Sequence, residues 1–205
     1  PGMTKEETYD AVAKGLKEDY GIDTLHNFGF NNTYVLAVSA ETAEKYNLKT
    51  VSDLINVNGQ LRLGCSPEFA VREDGLPGIE ATYGVKFKSV HNFSGTLMYT
   101  AITSGEVDVI TAFSTDGLLQ KYDLVLLEDD RNFFPPYFML PIVNENTLAK
   151  YPEIAEVLSC LDDFINDETM QSMNYRVVEL GEDRAAVGRQ FLLDNGLVTE
   201  EELAK

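Results

Sequence analysis

The apolar positions of this chain change period along its length, and the changes mark its elements. In "TKEETYDAVAKGLKEDYG", Val12, Leu16 and Tyr20 fall four apart on one helical face. Thr4 and Glu7 precede them at capping-box spacing, and Gly21 closes the run. "TYVLAVS" (33–39) is a short apolar run rich in β formers and predicts a buried strand. Ser39 then opens a helix through "AETAEKY", and Thr50 and Asp53 in "TVSDLINVNG" repeat the capping spacing. "LRLGC" (61–65), "KFKSV", "VDVITAF" and "YDLVLLE" read as strands, with "GIEATYG" and "SGTLMYTAITSG" as helices among them. After residue 135 come "YFMLPIV" and a run of helices, "PEIAEVLSCLDDFI", "DETMQSMNYRVVEL" and "DRAAVGRQFLLDNG".

Strands separated by single helices predict parallel pairing, in an α/β sheet with helices on both faces. Residues 33–135 read as one complete set of such units, whereas both flanks are helix-rich with few strands. No internal repeat and no low-complexity linker interrupts the chain.

Composition narrows the class. The 205 residues, 44% hydrophobic and 24% charged, suit a folded protein of one large domain or two small lobes. No apolar run approaches the roughly 18 residues of a membrane span. The start "PGMTKEETYD" has neither the basic nor the apolar region of a signal peptide, which fits a cytosolic protein or an exported one without its leader. Sixteen Lys and Arg stand against 34 Asp and Glu, a formal net charge of -18. Such a chain repels nucleic acid and anionic lipid at long range and favours a neutral or cationic ligand. Cys65 and Cys160 form no CxxC pair and read as small buried hydrophobes. His26 and His91 stand in no HExxH or Cys/Asp cluster, so no metal is expected.

Catalysis lacks a nucleophile–base set. "VNGQLRLG" does not have the GxGxxG spacing, and the adjacent Asp129 and Asp130 read as a solvated acidic loop. An enzyme of α/β type is therefore disfavoured, and no cofactor is expected.

Four stretches depart from the pattern. "FGFNNTYVL" sets Asn31 and Asn32 before a buried strand, with Tyr34 at the strand's start, as a core tyrosine or a presented ring. "SPEFAVREDGLPG" has Pro67 near its start and two strong turn signals, Asp74-Gly75 and Pro77-Gly78, just after Arg72. That arginine suits either a surface ion pair or a clamp on a ligand carboxylate. "DVITAFSTDGLL" ends a strand at Phe113, and in open α/β sheets such carboxyl ends border the ligand crevice. Asp116 of its "STDG" is a candidate helix cap. In "NFFPPYF", Pro135 and Pro136 are stiff and lack N–H donors, which suits a rigid crossover delivering Tyr137.

Together, "FNNTYVLAV", "PEFAVREDGLPG", "AFSTDGLLQKYDLVLLEDDRNFFPPYFMLPIV" and "YPEIAEVL" resemble the substrate-binding component of ABC importers for quaternary-ammonium osmoprotectants. That group takes glycine betaine, proline betaine, carnitine and choline, and the likeness runs from about residue 5 to 198 with all four stretches in order. It implies a two-lobed, type II periplasmic-binding-protein-like α/β fold, with the ligand between lobes joined by crossovers near "FNNTY" and "FFPPY". Residues 33–135 are then the second lobe, and 1–32 with 136–205 the first. The family's further N-terminal segment, with an "EYTGT"-like stretch, has no counterpart here, so the first lobe is expected to be incomplete.

Residue by residue, the resemblance makes Tyr34, Phe113 and Tyr137 the aromatic cage and Arg72 the contact for a carboxylate. Asn32 and Thr115 complete the ligand-binding set. Phe113 stands where the family usually has tyrosine, which keeps the ring and removes a hydroxyl. The ligand class is physically apt, because a quaternary ammonium has no N–H to donate and is gripped by aromatic faces instead. The implied partners are the small quaternary-ammonium ligand and the ABC permease of the same system. The implied location is extracytoplasmic, on the outer face of a bacterial cytoplasmic membrane, held by a lipid anchor or a permease fusion outside this chain. A ligand-sensing domain of the same fold is the alternative.

Overall fold

The computed structural model describes residues 4–203. Its contacts divide the chain into two compact units. The first comprises Thr33–Ser114 and Leu119–Pro135, and the second Thr4–Asn32, Thr115–Leu118 and residues 136 onward.

The chain opens with α1 (Lys5–Tyr20) and β1 (Ile22–Thr24). β2 (Tyr34–Ser39), α2 (Ala40–Tyr46), a 3-10 helix (Val51–Val57), β3 (Arg62–Cys65), α3 (Pro67–Val71) and α4 (Leu76–Tyr83) follow. Next come β4 (Ser89–Asn92), α5 (Leu97–Thr103), β5 (Val109–Phe113), α6 (Leu118–Lys121) and β6 (Leu124–Leu127). The last part holds β7 (Ile142–Asn144), α7 (Glu145–Lys150), α8 (Glu153–Leu158), a 3-10 turn (Ser159–Leu161), α9 (Asp167–Val178), α10 (Arg184–Asp194) and α11 (Glu200–Leu203).

The first unit is a five-stranded sheet in the order β4-β3-β5-β2-β6. Leu36 and Val38 of β2, Leu63 and Cys65 of β3 and Val109 of β5 point to one face. There they meet Leu54 and Val57 of the 3-10 helix and Phe69, Leu76 and Ile79 of α3 and α4. The alternate positions Ala37, Ile110 and Ala112 are buried as well, and α5 packs on β2, β3 and β5. A sheet covered on both faces explains why these strands read as continuous apolar runs. The capping logic holds in detail: Ser39 Oγ accepts the Thr42 N–H, and Thr50 and Asp53 cap one another.

The expectation of parallel pairing is corrected. β3 runs parallel to β4 and β5, but β2 is antiparallel to both β5 and β6. The helical-crossover rule governs only strands joined by a crossover within one sheet. β2 is joined to β3 by two helical segments, α2 and the 3-10 helix, and β5 stands between the two strands, so this connection is not the single-helix crossover that sets neighbouring strands parallel.

In the second unit, α1 has the full capping box between Thr4 and Glu7. β1 and β7 form a two-stranded antiparallel sheet. Phe28, Phe30 and Ile165 make a small core, with Met170, Met173 and Phe191 packed against it. The segment before β2 is held on two sides: Phe28 accepts from the Ile165 N–H at 2.8 Å, and Asn32 donates to the Tyr137 carbonyl at 3.1 Å. Both cysteines are free. Cys65 is buried as expected, and Cys160 is exposed, contrary to its reading as a core residue, because it lies on the short 3-10 turn after α8.

Candidate functional site

The antiparallel sense of β2 builds the most distinctive feature of the first unit. Tyr34 at the start of β2 stands directly opposite Phe113 at the end of β5. Their ring centroids lie 4.6 Å apart with the planes 33° from parallel. Phe113 keeps 37% of its surface exposed, so the pair is reachable from solvent. Behind Tyr34 lie Phe69 at 5.0 Å and Phe134 at 6.0 Å. Phe69 is 1% exposed, and Ser66 Oγ holds its backbone N–H as the N-cap of α3. The sequence marked Tyr34 and Phe113 but not this backing, since nothing in "SPEFAV" signals which ring Phe69 will meet.

Arg72 follows α3. Its Nε donates to Asp74 Oδ1 at 2.8 Å and a second guanidinium nitrogen donates to Oδ2, a two-point ion pair with both side chains largely exposed. The turn that carries it is tight. A Cβ on Gly78 would lie 2.1 Å from the Glu73 carbonyl oxygen and 2.5 Å from the Phe133 ring, so only glycine permits this approach. The "REDGLPG" and "NFFPPYF" stretches are thereby packed on each other.

The acidic run is not merely solvated. Asp129 is part-buried and accepts the N–H groups of Phe133 and Phe134 at 3.0 and 2.9 Å, together with the Tyr83 hydroxyl. Burial first, and Asp129 second, push the Tyr83 phenol far above its ordinary pKa. Asp130 accepts the Ser52 N–H, its main cause of a lowered pKa being that serine.

In the second unit, Tyr137 is 39% exposed. Its N–H donates to Asn31 Oδ1 at 2.6 Å, and Asn31 itself donates its N–H to Asp167 at 2.7 Å. Thr115 is buried: its hydroxyl donates to Asn32 Oδ1 at 2.6 Å and its carbonyl accepts from Asn174 at 2.9 Å. A Cβ on the neighbouring Gly117 would fall 2.3 Å from the Tyr175 backbone nitrogen, so the "STDG" turn lies flat on α9. Tyr137 also lines a cavity of about 530 Å³ with Tyr9, Val12, Asn27, Phe138 and Leu140.

Among the described residues no group of three or more His, Cys, Asp or Glu is placed to hold a metal ion. His26 is paired with Asp163, and His91 with Ser89. Among the described residues no helix is long and apolar enough to cross a membrane. Chemically, the first unit offers an exposed Phe113 ring against a half-buried Tyr34 that is backed by two more rings, aromatic surface of the kind that attracts an organic cation through its quadrupoles.

Comparison with known proteins bears on the same features. The family model described as the substrate binding domain of ABC-type glycine betaine transport systems matches residues 3–194. The ergothioneine transport permease/ergothioneine binding protein EgtU of Helicobacter pylori (strain G27) is 34% identical over 195 residues, covering 95% of this chain and 35% of that protein. The carnitine transport binding protein OpuCC of Listeria monocytogenes serotype 1/2a (strain 10403S) is 36% identical over 191 residues, covering 93% of this chain and 62% of that protein. This chain thus spans less than two thirds of the length of either relative. A crystal structure described as a glycine betaine/carnitine/choline ABC transporter is 34% identical with a TM-score of 0.87, covering 95% of this chain and 71% of that one. The fold is accordingly the mixed α/β, periplasmic-binding-protein-like one, and the family is one of binding proteins, not enzymes. The chain belongs to the substrate-binding domain family of ABC-type glycine betaine transport systems.

Proposed function

We propose that this chain is the solute-binding part of an ABC importer and captures a small quaternary-ammonium compound such as glycine betaine, carnitine, choline or a related betaine. The observation that carries this reading is the in-register pairing of Tyr34 with Phe113, backed by Phe69 and Phe134. The faces of aromatic rings suit a cation that has no N–H to give. Tyr137 is the third ring of the proposal, and it enters from the sequence resemblance together with Asn32 and Thr115. Arg72 serves a ligand carboxylate, for which its two-point grip on Asp74 supplies the geometric precedent. The partner is then the permease of the same system, and the place of work is outside the cytoplasmic membrane, with the anchor a lipid or a fused permease.

Calorimetric titration with glycine betaine, carnitine, choline and the histidine-derived betaine ergothioneine tests the reading. Saturable binding of at least one is expected. Silence towards all four from folded protein would overturn it.

A further inference from the structure

The loop between β6 and Pro135 carries a carboxylate that the proposed function does not use. Asp129 Oδ1 accepts the Phe133 N–H and Oδ2 accepts the Phe134 N–H. Oδ1 also takes the Tyr83 hydroxyl, while the Tyr83 oxygen accepts the Arg131 N–H at 3.1 Å. Tyr83 is a fixed post: it is 4% exposed, it ends α4, and the Arg131 guanidinium lies 5.2 Å from its ring centroid. In "FFPP", residues 133–136, the two prolines have no N–H, so the amides of Phe133 and Phe134 are the only backbone donors by which that run is held. Asp129 holds both. The ring of Phe134 then faces Tyr34 at 6.0 Å and Phe69 at 6.4 Å.

We propose that Asp129 is the positioning residue of the aromatic face: it anchors the two amides ahead of the proline pair, sets Phe134 behind Tyr34, and so fixes the orientation of a ring that takes the ligand's cation. The role goes beyond fastening a loop, because the anchored element is the backing of the ligand ring. An asparagine at 129 has one acceptor oxygen where two are in use, and its amide group meets an N–H where it needs an acceptor. Losing a hydrogen bond to a charged partner there should weaken ligand binding about tenfold.

The affinity part of the test rests on the proposed function, and the ring part does not. Asp129→Asn is compared with the parent protein and with Asp130→Asn, whose carboxylate serves Ser52 instead. Two quantities are read: affinity for glycine betaine, carnitine, choline and ergothioneine, and through-space NMR contacts between the Phe134 and Tyr34 rings. Expected are weaker binding and lost ring contacts in Asp129→Asn, with both unchanged in Asp130→Asn. A fall in denaturation midpoint alone, with contacts and affinity intact, would mean a merely structural residue and overturn the proposal. If the parent binds none of the four compounds, the proposed function fails and the ring contacts still decide the role of Asp129. Should Asp129→Asn not fold, Phe134→Leu removes only the backing ring; parent-like affinity in that variant would overturn the proposal.

Discussion

Tyr137, Tyr34 and Phe113 are asked for the same thing, an aromatic face, and the substitutions that test them differ accordingly. Tyr137→Ala removes the face and should weaken binding by up to about 30-fold, whereas Tyr137→Phe keeps it and should cost much less; calorimetry distinguishes them. A single cation–π contact is worth about 0.5–2 kcal/mol, or about 2- to 30-fold in affinity. Tyr34→Ala should exceed that range, because it also strips the partner of Phe69, Phe113 and Phe134. Arg72→Gln should discriminate among ligands: binding of glycine betaine and carnitine should fall at least tenfold and that of choline hardly at all, since a bidentate carboxylate contact is lost only where there is a carboxylate. Equal losses for all three would remove Arg72 from the site. These residues stand out in the chain as candidates because each sits at a break in pattern: a strand start, a strand end, a proline pair, an arginine just ahead of two turn signals. Phe69 and Asp129 do not. Phe69 reads like any apolar residue of a short helix, and Asp129 reads like its neighbour Asp130. Only the path of the backbone separates a carboxylate with three donors aimed at it from one that caps a distant serine.

At the scale of elements, the caps at Thr4, Ser39 and Thr50 were read correctly because capping is local, a matter of side chains three residues apart. The sense of β2 was missed because strand pairing is not local. "KFKSV" also slid by a few residues: Phe87 packs against the core, and the ladder with β3 begins only at Ser89. Two element-level predictions follow from contacts at the ends of β3 and α4. Asp108 clamps β3 to the approach of β5, taking the Arg62 backbone N–H at 2.8 Å and two guanidinium N–H groups at 2.9 and 2.8 Å. Those bonds hold the Asp108 carboxyl below the usual carboxylate range. An aspartate takes up its proton in the unfolded chain near about pH 4, so the clamp is fully stabilising above that and is lost as pH falls through the lower folded value. Asp108→Asn should therefore have a lower denaturation midpoint than the parent at pH 7, and the two should converge as the pH falls through the lowered folded value. Gly78→Ala should destabilise by about 1–3 kcal/mol or more in chemical denaturation, as a methyl group is driven against the Glu73 carbonyl and the Phe133 ring.

For the whole molecule, the two units differ in what holds them. The first buries a large two-faced sheet core, and the second gathers a few large side chains around Phe28, Phe30 and Ile165. α1 has no buried residue, and Val12 and Tyr20 on its apolar face stay 41% and 70% exposed. Amide exchange should accordingly be slowest in β2, β3 and β5 and faster along α1. The position of β2 has a further consequence, for the order in which the molecule can be made. It lies between β5 and β6, yet it is the first strand of its sheet to leave the ribosome. Val35 must wait for Ala112, and Leu36 for Leu127, before their backbone groups are paired. Contacts this far apart close slowly and leave an apolar strand unpaired while synthesis proceeds. A nascent chain stalled before residue 109 should leave "YVLAV" open to protease, and one released beyond residue 135 should protect it. The β2–β6 edge of the sheet is thus the last part to close, and β2 has no partner strand at all until β5 arrives.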